Sequence, residues 1–349
     1  MKKVLYISNI EVPYRTIFFN DLSEKCDLTV LYERQRSTNR DSKWVSSEVK
    51  KYTVRYLNGC NIGNENSFSF SVFKYLHNNW DVIIIGCYNS KVQMMAMLYM
   101  RILGIPFYIN LDGEPFIKKN MKGFLKSFFL RGAKGFFVAG EQTMKSLRNI
   151  FDANVKVFPY YFSSLTNAEI EKHSLEDCLR EDFVLVVGQY FDYKGMDIAF
   201  NCACLDTTIR YKFVGMGNRT TLFRHDMGFI PSNVELIPFL QKKELFEEYK
   251  KCRLLLLPTC QECWGLVVNE AASFGTPIVS TWGSGAAVEF IGDDYPQYLA
   301  ISGNVKSILK CLNLCMKSDN TNYGDYLRNK SKKYSIENMV DAHVKVFEC

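Results

Sequence analysis

The chain has 349 residues, 47% of them hydrophobic and 23% charged, which suits about two domains with cores of their own and excludes a disordered or low-complexity chain. Lys and Arg outnumber Asp and Glu by 43 to 37, a mild excess of +6, and with no recognisable nucleic-acid module, nucleic acid is not an expected partner. Twelve cysteines lack the density and spacing of a disulfide scaffold, and no apolar run reaches the roughly 20 residues of a membrane-spanning helix.

The opening MKKVLYISN reads as a first strand rather than a signal peptide, which with the scattered cysteines places the protein in a reducing cytoplasm. Further strands are predicted at 28–32, 82–85, 107–111 and 135–139, with helical stretches between several of them. The loop after the first strand, Asn-Ile-Glu-Val-Pro-Tyr-Arg, offers Glu11 and Arg15. After the strand at 107–111 come Asp112 and Glu114, where groups that meet an acceptor would stand; a turn-forming Asp-Gly with no further role is the alternative for Asp112. Residues 115–140 contain no acid, and Lys118, Lys119, Lys122, Lys126, Arg131 and Lys134 alternate with Phe116, Phe124, Leu125, Phe128 and Phe129. As a helix, 115–134 is basic on one side and aromatic on the other, suited either to anionic lipid headgroups or to packing on the first sheet.

A polar stretch, 163–182, lacks a strand pattern and is read as a linker. Beyond it strands are predicted at 183–187, 211–214, 234–238, 254–257 and 277–281, so two βα arrays argue for two parallel, doubly wound sheets. Ligands of such sheets bind beyond the carboxyl ends of the strands, which makes a cleft between two of them the expected active site. The loop after 183–187 carries Gly188, Gln189 and Lys194, the last able to meet a phosphate as a point charge. Gly215-Met-Gly217 with Glu235 twenty residues on is a near-miss of a dinucleotide fingerprint, but the third glycine is missing and the acid begins a strand instead of ending one.

Residues 258–281, PTCQECWGLVVNEAASFGTPIVST, say most. A buried strand leads through Trp264-Gly265 into a short helix at 266–274 closed by Gly275 and Pro277, and then into another strand. The unpaired amides at that helix start form a site for phosphate. Glu262 lies before the helix and Glu270 one turn inside it, so a ligand with phosphates in the middle and hydroxyls at both ends fits, and a sugar nucleotide is such a molecule. Cys260 and Cys263 bracket Glu262, but zinc would need two more ligands, and the four histidines show no paired spacing with cysteines. No Asp-x-Asp stands at a strand end to hold a divalent ion, so neither a metal nor a cofactor is expected.

The run Glu262, Trp264-Gly265-Leu266, Glu270-Ala271, Gly275, Pro277 resembles the signature of retaining glycosyltransferases of the GT-B fold, family 4 (group 1) type. EDFVLVVGQYFDYKG at 181–195, with Lys194-Gly195, and NVELIPFL at 233–240, followed by Glu244-Leu245 and Tyr249, are similar to the family's other donor-side segments. The resemblance covers most of 181–300 in order, while the first half matches only in style. It implies a GT-B chain: an acceptor-binding Rossmann-like domain at 1–162, a linker at 163–182, a nucleotide-sugar-binding domain at 183–325, and C-terminal helices at 326–349 crossing back to the first domain.

The implied activity is retaining, metal-independent transfer of a sugar from a UDP-sugar or GDP-mannose type donor to a hydroxyl of a glycan. The acceptor is read as a lipid-linked oligosaccharide of bacterial surface polysaccharide, O-antigen or capsule, at the inner face of the membrane. Glu262, Lys194 and Asp112 are the candidate catalytic groups. Donor contacts are assigned to Gly188, Gln189, Lys194, Gly215, Pro238, Phe239, Leu240, Glu262, Trp264, Gly265, Leu266, Val267 and Glu270, with Glu270 on the ribose, Glu262 on the transferred sugar, and Lys194 and the Gly265–Val267 amides on the diphosphate. Acceptor contacts fall to Glu11, Arg15, Asp112 and Glu114. The chain departs from the family at Gln189, where an arginine is common and either Gln189 serves as a neutral donor or another residue such as Arg219 compensates, and at Asp112, where a histidine is frequent. Rival readings are an NAD-linked oxidoreductase using the Gly215 loop and a sugar-nucleotide-binding protein without transfer activity.

Overall fold

Four consecutive buried side chains, as at Val82–Ile85, belong to a strand covered on both faces, the condition that parallel sheets between helices create. The computed structural model describes residues 1–34, 48–62, 66–115, 121–151, 155–175 and 180–347. The chain divides into two units: Met1–Phe162 with Ile336–Cys349, and Ser163–Ser335.

The first unit holds β1 (Lys3–Ile10), β2 (Asp27–Arg34), β3 (Thr53–Tyr56), a hairpin of β4 (Cys60–Ile62) and β5 (Asn66–Phe68), then β6 (Val82–Ile85), β7 (Tyr108–Leu111), β8 (Gly135–Val138) and β9 (Val157–Pro159). Seven of these form one sheet in the order β3-β2-β1-β6-β7-β8-β9, and every pairing is parallel. The order reverses between β1 and β6. One core cluster runs from Leu5, Ile7 and Ile85 through Val92 and Met97 to Ile109, Phe136 and Val138. The last helix, Ile336–Phe347, packs here on the helix Pro13–Ser23.

The second unit holds β10 (Glu181–Val187), β11 (Arg210–Val214), β12 (Val234–Ile237), β13 (Cys252–Leu257), β14 (Ile278–Thr281) and β15 (Leu299–Ala300) in one parallel sheet, β12-β11-β10-β13-β14-β15. Its switch lies between β10 and β13, so the loops after those two strands flank the crevice where open α/β sheets bind ligands.

Two expectations change. The stretch read as a linker contributes the helix Asn167–Leu175 to the second unit, with Ile170 and His173 buried. Its start is locked because Thr166 N donates to Glu169 Oε2 (3.0 Å) and Glu169 N donates to Thr166 Oγ1 (3.2 Å), a reciprocal cap that a composition argument overlooks. Of the tail, the helix Thr321–Ser331 stays with the second unit, and only residues from Ile336 onward belong to the first.

The basic, aromatic stretch holds the helix Met121–Leu130, while Phe116, Lys118 and Lys119 lie outside the described residues. Leu130 is buried and Phe129 packs on the core, whereas Phe124 is 71% exposed and Arg101 lies over the Phe128 ring at 4.1 Å. The aromatic set is thus split between the two directions. Among the described residues no helix is long and apolar enough to cross a membrane.

Helix ends in the second unit are tied by one side chain. Arg180 Nη1 donates to Tyr249 O (2.6 Å), Lys250 O (3.0 Å) and Thr276 Oγ1 (2.9 Å), and Nη2 donates to Phe274 O (2.9 Å). It therefore places a positive charge on the last carbonyls of the helices Lys242–Lys251 and Leu266–Ser273. Arg180→Ala should lower stability by about 1.5 to 3 kcal/mol in urea unfolding, the scale for losing hydrogen bonds to a charged group, and an unchanged midpoint would show the tie to be dispensable.

Candidate functional site

Two loops at the switch point of the second sheet are pressed together. Gly195 has φ of 70°, and a side-chain carbon there would stand 2.2 Å from Pro258 O, so only glycine lets the loop after β10 touch the loop after β13. Cys260 N and Thr259 Oγ1 both donate to Tyr193 O, at 2.8 and 2.9 Å. The result is that Lys194, from one loop, forms an ion pair with Glu262 Oε2, from the other, and both remain partly exposed.

The backbone of Glu262 is fixed as firmly: its N–H donates to Gly283 O (2.8 Å), and its carbonyl accepts from Gly285 N (3.2 Å). Gly265 follows with φ of 109° and starts the helix Leu266–Ser273. Having no side chain, it cannot cap the first turn; Val268 N donates to Gly265 O (2.9 Å), and among the described residues the Leu266 and Val267 amides have no such partner. The Trp264 ring is only 2% exposed and donates from Nε1 to Asn269 Oδ1 (2.9 Å), so it packs inside the unit and is not a wall for a ligand.

One turn into that helix, Glu270 is held by two hydroxyls. Ser164 Oγ donates to Oε1 (2.9 Å) and Tyr249 OH donates to Oε2 (3.0 Å). Burial raises the Glu270 pKa, opposed by Lys242 and by those two hydrogen bonds, and burial likewise holds the Tyr249 phenol protonated. Ser164 went unnoticed in the sequence because it stands in the segment read as a linker.

The other donor-side candidates line the same strand ends. Gly188 and Gly215 close β10 and β11, and Gly217 N donates to Pro238 O (2.6 Å), which ties the Gly215 loop to Pro238, with Phe239 and Leu240 half-buried beyond. Arg219 sits where it can stand in for an arginine at Gln189: its guanidinium lies 3.9 Å from the Phe191 ring centroid and Nη1 donates to Tyr190 O (3.2 Å). Glu235 pairs in register with Lys212 near the start of β12, away from the carboxyl ends where a ribose-binding acid of a dinucleotide site would lie.

In the first unit the candidates follow β1 and β7. Glu11 Oε1 accepts from Lys50 Nζ (2.5 Å) and from the Tyr56 hydroxyl. Arg15 is 5% exposed; its Nη2 bonds Asp112 Oδ1, and its guanidinium faces the rings of Tyr6, Phe18 and Phe162 at 6.0, 5.7 and 5.0 Å. It is a buried partner of Asp112 and does not reach solvent as an acceptor contact would. Asp112 itself is 33% exposed, while Glu114 accepts from the Ser146 hydroxyl on the surface. Asn110 and Tyr160, which also bond Asp112, carried no motif that would have marked them.

This arrangement agrees with what the chain is similar to. The family model for glycosyl transferases group 1 matches residues 168–337. That region is a glycosyl transferases group 1 domain. The glycosyltransferase is 27% identical to an uncharacterized glycosyltransferase of Methanocaldococcus jannaschii over 256 residues, 70% of this chain and 69% of the relative. Its fold matches sucrose-phosphate synthase of Thermosynechococcus elongatus with a TM-score of 0.74 at 12% identity, over 100% of this chain and 98% of that one. HepE of Anabaena, solved with UDP, matches at 0.70 and 12% identity over 99% of both chains. WaaG, described as a glycosyltransferase involved in lipopolysaccharide biosynthesis, matches at 0.68 and 12%, again over 99% of both. The chain has the GT-B fold, and the enzyme is a glycosyltransferase.

The raised Glu270 pKa makes the site costly to the empty glycosyltransferase. A carboxyl whose folded pKa exceeds its unfolded value weakens the fold increasingly as pH rises from the unfolded pKa through the folded one. Glu270→Gln, which keeps the shape without the charge, should therefore raise the melting temperature of the ligand-free enzyme at pH 7, with the gain vanishing below pH 4. A lower melting temperature at pH 7 would mean that Ser164, Tyr249 and Lys242 overcompensate the burial.

Proposed function

We propose that this glycosyltransferase moves a sugar, with retention and without a metal ion, from a nucleoside diphosphate donor to a hydroxyl of a glycan. The observation that carries the reading is the uncapped helix start at Gly265 flanked by the Lys194–Glu262 pair and by Glu270, all at the switch point of one sheet. The diphosphate rests on the Leu266 and Val267 amides, with Arg219, from the turn after β11, set against the β10 loop. Its charge competes for Lys194, which frees Glu262 to accept hydrogen bonds from the transferred sugar, and Glu270 takes the ribose hydroxyls.

As the bond from the anomeric carbon to the phosphate oxygen breaks and the bond to the acceptor oxygen forms on the same face, negative charge builds on the leaving diphosphate. Lys194 and the helix amides are already aimed at that charge, so the barrier falls through donors that need no reorganisation. Asp112 orients the acceptor hydroxyl, with Glu11 and Glu114 nearer the glycan.

The acceptor is a lipid-linked oligosaccharide of a bacterial surface polysaccharide, handled at the inner face of the membrane. The likeness to WaaG and the outward Phe124 and Phe128 beside Lys126 and Arg131 support this placement. HepE, seen with UDP, supports a uridine donor, and GDP-mannose is the second donor to test.

Thermal-shift measurements with UDP, GDP and NAD, followed by radiolabelled sugar nucleotides, test the reading, since a ligand of the native state raises apparent stability by mass action. Stabilisation by UDP or GDP and release of label from one sugar nucleotide are expected, whereas stabilisation by NAD alone would overturn it. Glu262→Gln should cut transfer by at least about 100-fold while nucleotide affinity changes little, because its partner is the sugar. Glu270→Ala should instead weaken nucleotide binding by about 1 to 3 kcal/mol. Full turnover in folded Glu262→Gln would remove Glu262 from the mechanism.

A further inference from the structure

Three hydrogen-bond donors in the first unit converge on one carboxylate oxygen. Arg15 Nη2, Asn110 Nδ2 (2.8 Å) and Tyr160 OH (2.6 Å) all bond Asp112 Oδ1. None of them is free to turn away: Arg15, Asn110 and Tyr160 are 5%, 1% and 0% exposed, and Asn110 Nδ2 also donates to Tyr160 OH (3.1 Å). Oδ2 takes no hydrogen bond from any described residue, and the side chain keeps a third of its surface in solvent.

Behind this cluster stands His343, fully buried on the last helix, with Nε2 3.1 Å from Asn110 Oδ1, Nδ1 2.7 Å from Met339 O, and its ring stacked on Phe137 at 4.1 Å. Burial, seconded by the nearby Arg15 charge, pushes its pKa down to about 3, so the ring is neutral and carries one proton. Met339 O can only accept, so that proton stands on Nδ1 in the shorter of the two contacts, and His343 backs the Asn110 amide by packing and does not donate to it.

We infer that Asp112 acts through Oδ2 alone, as the oxygen that accepts the hydrogen bond of the incoming hydroxyl, and that Tyr160 and Asn110 are the positioning residues that keep it so. This rests on the proposed acceptor role of Asp112. The three donors occupy Oδ1, which fixes the plane of the carboxylate and removes the rotation that would exchange its two oxygens. Each donor is itself held by packing or by a second hydrogen bond, so the outer oxygen is presented at one place. His343, its ring 5.4 Å from that of Tyr160, packs the C-terminal helix behind this cluster, although it lies some 230 positions beyond Asn110 in the chain.

The test uses the full chain and UDP-glucose, or whichever sugar nucleotide the donor panel shows to be turned over, with release of the nucleoside diphosphate followed while water takes the acceptor's place. Tyr160→Phe and Asn110→Leu, which keep the size of the side chain but remove its donor to Oδ1, should lower kcat by about 10- to 100-fold, the cost of a small misplacement, with the donor KM unchanged. Parental kcat in both Tyr160→Phe and Asn110→Leu would overturn the inference. Asp112→Asn separates the two levels: if it alone is fully active, the acceptor role of Asp112 fails, whereas an inactive Asp112→Asn beside fully active Tyr160→Phe and Asn110→Leu defeats only the positioning role.

Discussion

Lys194 and Glu262 meet because two loops leaving neighbouring strands are held in contact where Gly195 lies against Pro258. Everything on the donor side depends on that contact. It brings a cation and an acid from different βα units to the mouth of one helix, and it does so at the point where the strand order reverses and no helix crosses over the strand ends. A side chain at position 195 would force the loops apart and leave two isolated surface charges. In contact, they form a pair that a diphosphate can split.

The two units hold their carboxylates by different means. Glu270 is held by neutral hydroxyls in a half-buried setting, which leaves its charge poorly compensated until a ligand arrives. Asp112 is held by a buried guanidinium together with an amide and a phenol, so its charge is paired from the start. Breaking such a buried pair leaves the surviving charge uncompensated, which makes Arg15 as much a requirement of the fold as of the site.

The sequence made the inner strands legible because they are short, apolar on both faces and bounded by turn formers: 82–85 is found as Val82–Ile85, and 254–257 lies within Cys252–Leu257. Edge strands escaped, apart from Val234–Ile237, which was read at 234–238. Thr53–Tyr56 alternates exposed and half-buried positions, and Leu299–Ala300 is too short to carry any period. On the donor side the helix start and its two acids could be read because glycine, proline and carboxylate mark local geometry. Ser164 and Tyr160 could not, since each acts through contacts with residues tens of positions or more away that no local pattern encodes. Trp264 was misjudged for the opposite reason: it stands inside the motif, yet its ring turns inward to Asn269.

The most direct test of the central claim is a crystal structure of the enzyme with UDP. The account expects the diphosphate within hydrogen-bonding distance of the Leu266 and Val267 amides, the ribose hydroxyls on Glu270, and Lys194 moved from Glu262 onto phosphate. A nucleotide bound anywhere else on the second unit, or one that leaves the Lys194–Glu262 pair intact and Glu270 untouched, would contradict it.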